Sequence, residues 1–409
     1  MISCRSCGTR LEHTFVDLGC SPVANDFIRA DFLSEMEPFY PLCVYICQRC
    51  LLVQLPAACL PQSLFNAEYA YFSSFSDSWL AHARRYAETV MQRFGIGPGR
   101  RVVEVASNDG YLLQYFKAAG VTVRGIEPAA NCAEAAMAKG IPTTVRFFGA
   151  QAARELVGEH AADLMVANNV LAHVPDINDF VEGFRILLKA DGVATFEFPH
   201  LLHLIAQNEF DTIYHEHYSY LSLHAVEQVF AAHGMQVFDV EELPTHGGSL
   251  RLFVQHTGKA CRPVESGVAK LREKERLAGL TELAGYQGFE SRVRKVKRDL
   301  LRFLIAARED GKSVVGYGAP AKGNTLLNYC GIRTDLLDYT VDRSPRKQGW
   351  FLPGTRIPVY APERIMETRP DYILILPWNL QSEITQQMKA VREWGARFVV
   401  PIPELKILP

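Results

Sequence analysis

Five consecutive residues, Tyr214-His215-Glu216-His217-Tyr218, set two phenols, two imidazoles and a carboxylate side by side. Removing a proton next to a carbonyl needs such a set: a base titrating near neutral pH, a carboxylate, and donors for the resulting oxyanion. His217 is the expected base, because imidazole titrates near neutrality. Tyr214 is expected to donate to the oxyanion, and would be the base only if its pKa fell far below about 10. Neighbouring residues of a strand or helix point apart, so Glu216 is expected to hydrogen-bond the substrate rather than the imidazole. His215 and Tyr218 are read as packing. His173, after a predicted strand and shortly before Pro175, is a further substrate-facing candidate, with a satisfied loop histidine as the alternative. Alone, the five-residue run also reads as an aromatic surface turn.

A second chemistry lies in the cysteines. Seven of the ten fall in the first 59 residues, and four form two C-x-x-C pairs, Cys4/Cys7 and Cys47/Cys50. Each pair lets two thiolates reach one ion, and two pairs complete a tetrahedral zinc site, which is structural because four thiolates leave no open position. The 39 residues between the pairs imply a small folded insert. A redox C-x-x-C is the competing reading for one pair and leaves the other unexplained. Cys43 is the expected substitute ligand, and Cys20 and Cys59 are read with it as small buried side chains.

Composition bounds the partners. Net charge is −2, with 48% apolar and 22% charged residues, as in globular proteins. This balance favours neither nucleic acid nor an anionic membrane. No apolar run approaches the roughly 20 residues of a spanning helix, and Cys4 and Cys7 arrive before a secretory leader fits. The expectation is a cytoplasmic chain of two or three domains.

The elements that must position these residues alternate. Asp77 to Phe94 has helical spacing. Arg101–Ala106 reads as a strand, Ser107-Asn-Asp-Gly110 as a turn, and Tyr111–Ala119 as a helix. Val121–Glu127 is a second strand, Ala129–Lys139 a helix, and Ala162–Asn169 and Gly192–Phe198 further buried strands around a helix near Asp179–Leu188. This is a parallel, doubly wound α/β sheet. Ligands bind such sheets outside the carboxyl ends of the strands. The Ala106–Gly110 turn lies there, and Glu127 ends the next strand, placed for two ribose hydroxyls or for capping the following helix. The turn lacks the G-x-G-x-x-G that seats a pyrophosphate, so S-adenosylmethionine (SAM) is favoured over NAD. Asp109 is a candidate partner for the SAM amine.

The last third has a similar logic. Val264 to Arg308 reads as long helices with one solvated face. Ser313–Gly318 is a strand running into a glycine turn before a helix, an arrangement that binds anions, and Lys322 is positioned to pair with a diphosphate; a degenerate, ligand-free fold is the alternative.

These motifs together resemble the SAM-dependent C-methyltransferases of deoxysugar biosynthesis, which act on nucleotide-activated ketosugars. The likeness runs through the cysteine pairs, Glu104-x-x-Ser-Asn-Asp-Gly110, Gly125-Ile-Glu-Pro128 and Ala167-Asn-Asn-Val-Leu-Ala-His-Val-Pro175. It continues with Phe196-Glu-x-Pro199, Phe210-Asp-Thr-Ile-Tyr-His-Glu-His-Tyr218, His246-Gly-Gly-Ser-Leu-Arg251 and Gly316-Tyr-Gly-Ala-Pro-Ala-Lys-Gly323. It implies a zinc-binding N-terminal domain (1–76), a central class I SAM methyltransferase domain (77–262) and a C-terminal Rossmann-like domain (263–409) that helps bind the sugar nucleotide. The cofactor set is then Glu104, Ser107, Asn108, Asp109, Gly110, Glu127, Pro128, Phe147, Phe148 and Asn169. The substrate set is Tyr71, Ser73, Ser74, His246, Gly247 and Lys322. The implied reaction is C-methylation next to a ketone through an enolate, on a dTDP-, GDP- or similar ketosugar, by a monomer without nucleic-acid or membrane partners. Two departures stand out: Ala106 replaces a usual glycine, narrowing the cofactor approach, and His200 replaces tyrosine after Pro199. A nicotinamide-dependent sugar-nucleotide oxidoreductase and a zinc-ribbon RNA methyltransferase are the competing readings.

Overall fold

The computed structural model describes residues 2–58, 72–258 and 262–408. Packing groups them into two compact units whose segments alternate along the chain. Unit 1 takes Met1–Glu12, Cys47–His200 and Tyr218–Gly285, and unit 2 takes His13–Ile46, Leu201–His217 and Tyr286–Pro409. The expected succession 1–76, 77–262 and 263–409 follows the chain, whereas packing assigns the insert between the cysteine pairs to unit 2 and changes over finally at Gly285.

Among the described residues, unit 1 has a seven-stranded sheet. Its strands are β1 (Arg101–Val105), β2 (Thr122–Glu127), β3 (Thr143–Val145), β4 (Ala162–Asn168), β5 (Leu188–Pro199), β6 (Met235–Leu243) and β7 (Ser249–His256). Their order is β3-β2-β1-β4-β5-β7-β6. The first five are parallel, and β7 runs antiparallel to both β5 and β6. Every residue of β4 is buried, as a central strand covered on both faces requires. Helix α1 (Asp77–Phe94) starts where Ser76 Oγ accepts the Trp79 N–H and stops at Gly95 in the left-handed region, φ 62°. Its Ala83, Tyr86, Ala87 and Val90 pack with Leu113 and Phe116 of α2 (Leu113–Ala118) in the core. Helices α3 (Ala130–Ala138), α4 (Ala150–His160), α5 (Ile177–Leu187), α6 (Leu223–Ala232) and α7 (Ser266–Leu277) follow. The strand order reverses between β1 and β4, so the carboxyl ends there form the crevice for a ligand.

Unit 2 contains an antiparallel pair, His13–Ser21 with Tyr40–Ile46. Phe15 stacks on Phe289 at 4.7 Å. Its larger sheet comprises β8 (Val314–Tyr317), β9 (Thr340–Val341), β10 (Val359–Tyr360), β11 (Tyr372–Ile375), β12 (Arg397–Val400) and β13 (Lys406–Leu408). The order is β10-β9-β8-β11-β12-β13, parallel except for the last pair. Helix α8 (Phe289–Glu309) buries Phe289, Val293, Val296, Leu300 and Leu304 at helical spacing. Helix α9 (Ala321–Cys330) follows β8. Among the described residues, no helix is long and apolar enough to cross a membrane.

Candidate functional site

The Ala106–Gly110 turn at the end of β1 is bent tightly. Ala106, Asn108 and Gly110 have φ of 53°, 49° and 77°, and for alanine the left-handed region costs about 1–2 kcal/mol. Such strain persists where surrounding structure enforces it. Here the Ala106 and Ser107 N–H groups both donate to the Ile126 carbonyl, at 2.7 and 3.3 Å. Gly125 permits this approach, since a side chain there would collide with Ser107 Oγ.

The Glu127 carboxylate accepts the Asn108 and Ala129 N–H groups at 2.8 and 2.9 Å. Burial pushes its carboxyl up, and those two donors pull it back. It does cap the chain leading into α3, and two of about four acceptor positions remain for a ribose. Glu104 is wholly buried in β1, which pushes its carboxyl well above the ordinary range, with the charges of Glu127 and Asp109 adding to the rise. Asp109 Oδ2 pairs with Lys139 Nζ at 3.0 Å, and the same ammonium donates to the Asp109 carbonyl and to Ser74 Oγ. Ser73 donates its N–H to Asn108 Oδ1 at 2.9 Å. Ser73 and Ser74, expected at the substrate, are thus bonded to this turn and its lysine. Tyr71 lies outside the described residues. Phe147 is exposed, and Phe148 is committed edge-on to Phe180 and Phe184, so the pair expected at the cofactor divides between solvent and core.

Four buried oxygens at the ends of β1 and β4 have no hydrogen-bond partner among the described residues: Ser107 Oγ, Asp109 Oδ1, Asn168 Oδ1 and Asn169 Oδ1. Buried polar atoms are normally satisfied. A molecule bringing an amine and ribose hydroxyls into the crevice satisfies them, so the residues fit SAM.

Of the wall beside this crevice, sequence reasoning named His246 and Gly247 and missed Trp79, His82, Glu197 and Arg251. Trp79 stacks on His82 at 5.0 Å and lies 5.9 Å from Tyr111 and 5.5 Å from His246. His246, with φ 56°, approaches Asn169 Nδ2 at 3.4 Å, and Gly247 follows it in the turn before β7. His82 Nε2 reaches both oxygens of Glu197, at 3.0 and 2.9 Å. Glu197 also accepts Arg251 Nη2 at 2.6 Å and Thr245 Oγ1 at 3.1 Å. Burial pushes the Glu197 carboxyl up, but His82 and Arg251 together hold it below the ordinary range.

The four zinc-candidate thiols lie within 4.8 Å of one another. Cys4 and Cys50 are 3.5 Å apart, as are Cys7 and Cys47. Four sulfurs bound at about 2.3 Å in a tetrahedron stand about 3.8 Å apart, so the residues fit zinc. Gln54 Nε2 donates to Cys4 Sγ at 3.1 Å, the kind of outer contact that orients a ligand. Cys43 is not in the cluster, and Cys59 lies outside the described residues. Arg5, between the first two cysteines, ties the knuckle to the loop after His173. Its guanidinium donates to the Pro175 and Leu55 carbonyls, and Asn178 Nδ2 donates to the carbonyls of Arg5 and Ser6.

The Tyr214–His217 run belongs to unit 2. His217 Nδ1 lies 2.7 Å from the Thr212 carbonyl. A carbonyl only accepts, so Nδ1 carries the proton and Nε2 the lone pair. The Tyr214 ring lies 4.0 Å from that imidazole. Glu216 is buried, accepts Asn25 Nδ2 at 2.6 Å, and is pushed up to about 7 by burial. His215 packs edge-on to Tyr40 and meets the Pro41 carbonyl at 3.3 Å.

The Lys322 ammonium, expected to face a diphosphate, donates to Asn379 Oδ1 at 2.9 Å and lies 4.6 Å over the Trp378 ring. Burial lowers its pKa, opposed by the charges of Asp211 and Glu209. Burial in turn pushes the Asp211 and Glu209 carboxyls up, to about 6 and about 8, so Asp211 is the one of the two that is mostly ionised at neutral pH.

Three family models cover the chain: a zinc binding domain (residues 4–65), a methyltransferase domain (79–240) and a C-methyltransferase C-terminal domain (244–403). The chain is 37% identical to the C-methyltransferase NovU of Streptomyces niveus, over 99% of this chain and 96% of that one. The chain belongs to the C-methyltransferase family. It is a SAM-dependent C-methyltransferase with a zinc-binding segment, not an oxidoreductase. Likenesses to solved structures are distant. The Burkholderia thailandensis 1,6-didemethyltoxoflavin-N1-methyltransferase is 18% identical, with coverage of 52% of this chain and 98% of that chain and a TM-score of 0.38. The magnesium protoporphyrin IX methyltransferase of Synechocystis PCC 6803 is 14% identical, with coverage of 44% and 82% and a TM-score of 0.34.

Proposed function

We propose that this C-methyltransferase methylates a nucleotide-activated keto-deoxysugar at the carbon next to the ketone. SAM supplies an electrophilic methyl group when bound in unit 1. The residues of the chain make the nucleophile. His217 Nε2 removes the proton beside the ketone, Tyr214 donates to the enolate oxygen, and His173, His246 and Gly247 contact the substrate. Glu127 holds the cofactor ribose, and Asp109 its amine. The observation that carries this reading is the His217 Nδ1–H bond to the Thr212 carbonyl, which leaves a basic nitrogen on the opposite side of the ring. Glu216 is not needed as its partner, since its own hydrogen bond goes to Asn25.

The test is a panel of dTDP- and GDP-linked ketosugars incubated in heavy water with a SAM analogue that cannot transfer methyl. The native enzyme should wash deuterium into the carbon beside the ketone. His217→Asn should slow that exchange by roughly 10²–10⁴-fold, the range of general-base catalysis, and Tyr214→Phe should slow exchange and methyl transfer together. Native exchange rates in both variants would refute the assignment and leave His173 as the next candidate. No deuterium exchange into any ketosugar, and no methylated product from any of them when SAM replaces the analogue, would refute the substrate class.

A further inference from the structure

We propose that the ligand crevice of the second sheet anchors the segment carrying His217, so that Asp211, Trp378 and Thr325 are positioning residues for its imidazole. This rests on the reading of His217 as the base. In unit 2 the strand order reverses between β8 and β11, the place where open parallel sheets take their ligands. The chain itself fills that place. Trp378, on the loop after β11, donates its Nε1–H to Asp211 Oδ2 at 2.7 Å. Lys322, in the first turn of α9, faces the same carboxylate and that of Glu209. One turn on, Thr325 Oγ1 donates to the Ile213 carbonyl at 2.9 Å.

These contacts bracket one peptide group. Asp211 is held through its side chain and Ile213 through its carbonyl, while the Thr212 hydroxyl between them donates to the Glu209 carbonyl at 2.6 Å. The carbonyl so immobilised is the one that accepts His217 Nδ1–H. Its aim selects the tautomer, and a ring with its proton on Nε2 cannot accept a proton there. Asp211 is fully buried and Glu209 almost so. Burying a charged pair such as Asp211 and Lys322 is often less stabilising than apolar packing of the same volume, so stability alone does not account for the arrangement, whereas orientation does.

The tautomer can be read without substrate. The full-length protein would be labelled with ¹⁵N-histidine and examined at about pH 8.5, some two units above the ordinary histidine pKa, with His217→Asn identifying the signal. The native ring should show a protonated Nδ1 and an unprotonated Nε2. Thr325→Val and Trp378→Phe should each move the signal toward an average of the two tautomers, and Thr325→Ser, which keeps the hydroxyl, should restore the native pattern. Methyl transfer in Thr325→Val should fall by about 10²-fold, short of the ~10⁴-fold lost when a protease triad loses its tautomer-setting group, because the Thr212 carbonyl remains. A native ring protonated on Nε2, or native signals in both Thr325→Val and Trp378→Phe, would overturn the anchor. If the signals move as stated but His217→Asn still washes deuterium into the ketosugar, the base assignment fails and only the tautomer-setting contact stands. If either variant does not fold, the other decides.

Discussion

Replacing Glu216 with glutamine should make the enzyme more stable at pH 8 and less active. The carboxyl is buried, its hydrogen bond comes from Asn25 at 2.6 Å, and burial raises its pKa from 4.5 to about 7. A raised carboxyl binds its proton more tightly in the folded state, so stability falls as pH rises from about 4.5 to 7, and the loss is complete above 7. At ~1.36 kcal/mol per pH unit, that rise corresponds to about 3 kcal/mol at pH 8. Glutamine keeps the acceptor for Asn25 but adds a donor whose burial costs about 1 kcal/mol, leaving a net gain of about 2 kcal/mol. At pH 4.5 the native side chain is largely protonated in the fold, and the gain should vanish or reverse. Calorimetric melting of both proteins at pH 8 and pH 4.5 measures this directly, as a difference of a few degrees. Equal melting points at pH 8, or a gain of the same size at both values, would show that Glu216 is not held as a buried acid. A faster variant would refute any part for Glu216 in turnover.

Removing zinc with a chelator, or substituting Cys47→Ser with Cys50→Ser, should free the Arg5 knuckle; faster hydrogen exchange at 172–178 measures the loss, and unchanged exchange would mean that the knuckle holds without metal. Glu127→Ala should weaken SAM binding by about 1.5–3 kcal/mol, the worth of hydrogen bonds to a charged group, as read by calorimetry; unchanged affinity would leave Glu127 only its cap. Glu197→Gln should destabilise unit 1 by about 2 kcal/mol, the worth of a hydrogen bond to a charged group, because Arg251 then keeps only Glu241 of its two carboxylate partners. Since the native carboxyl is held low, that contribution should be present above about pH 4.3, the unfolded value, and fade as pH falls, which melting across pH 3–7 would detect.

Much of unit 1 was legible because its chemistry is local. β1, β2 and β4 are short apolar runs ending in polar turns, and the two cysteine pairs carry their own spacing. β6 and β7 escaped because their polar residues mask the strand pattern and their antiparallel insertion beside β5 is a tertiary choice. The Glu197 network escaped for another reason: His82 and Arg251 lie 115 and 54 residues from the carboxylate they share, and no periodicity links them. The partners of Lys322 were not legible, because a lysine at a helix start looks like an anion site until its neighbours are known. Asp211 and Glu209, whose charges act on it, sit more than a hundred residues earlier. Phe148 shows the same limit, since a phenylalanine after a strand suits a cofactor wall or an aromatic core equally well.

The alternation of the two units has a consequence during synthesis. The His13–Ser21 and Tyr40–Ile46 strands are made early, but the Phe289 ring on which Phe15 stacks belongs to a segment that begins at Tyr286, 240 positions after Ile46. At about 5–20 residues per second, the nascent chain carries that apolar surface uncovered for roughly 12–48 s. The cysteine pairs, by contrast, are complete once Cys50 emerges. A ribosome that stalls near residue 250 therefore holds a chain able to bind its metal while Phe15 still waits for its partner, an interval in which a chaperone has something to shield.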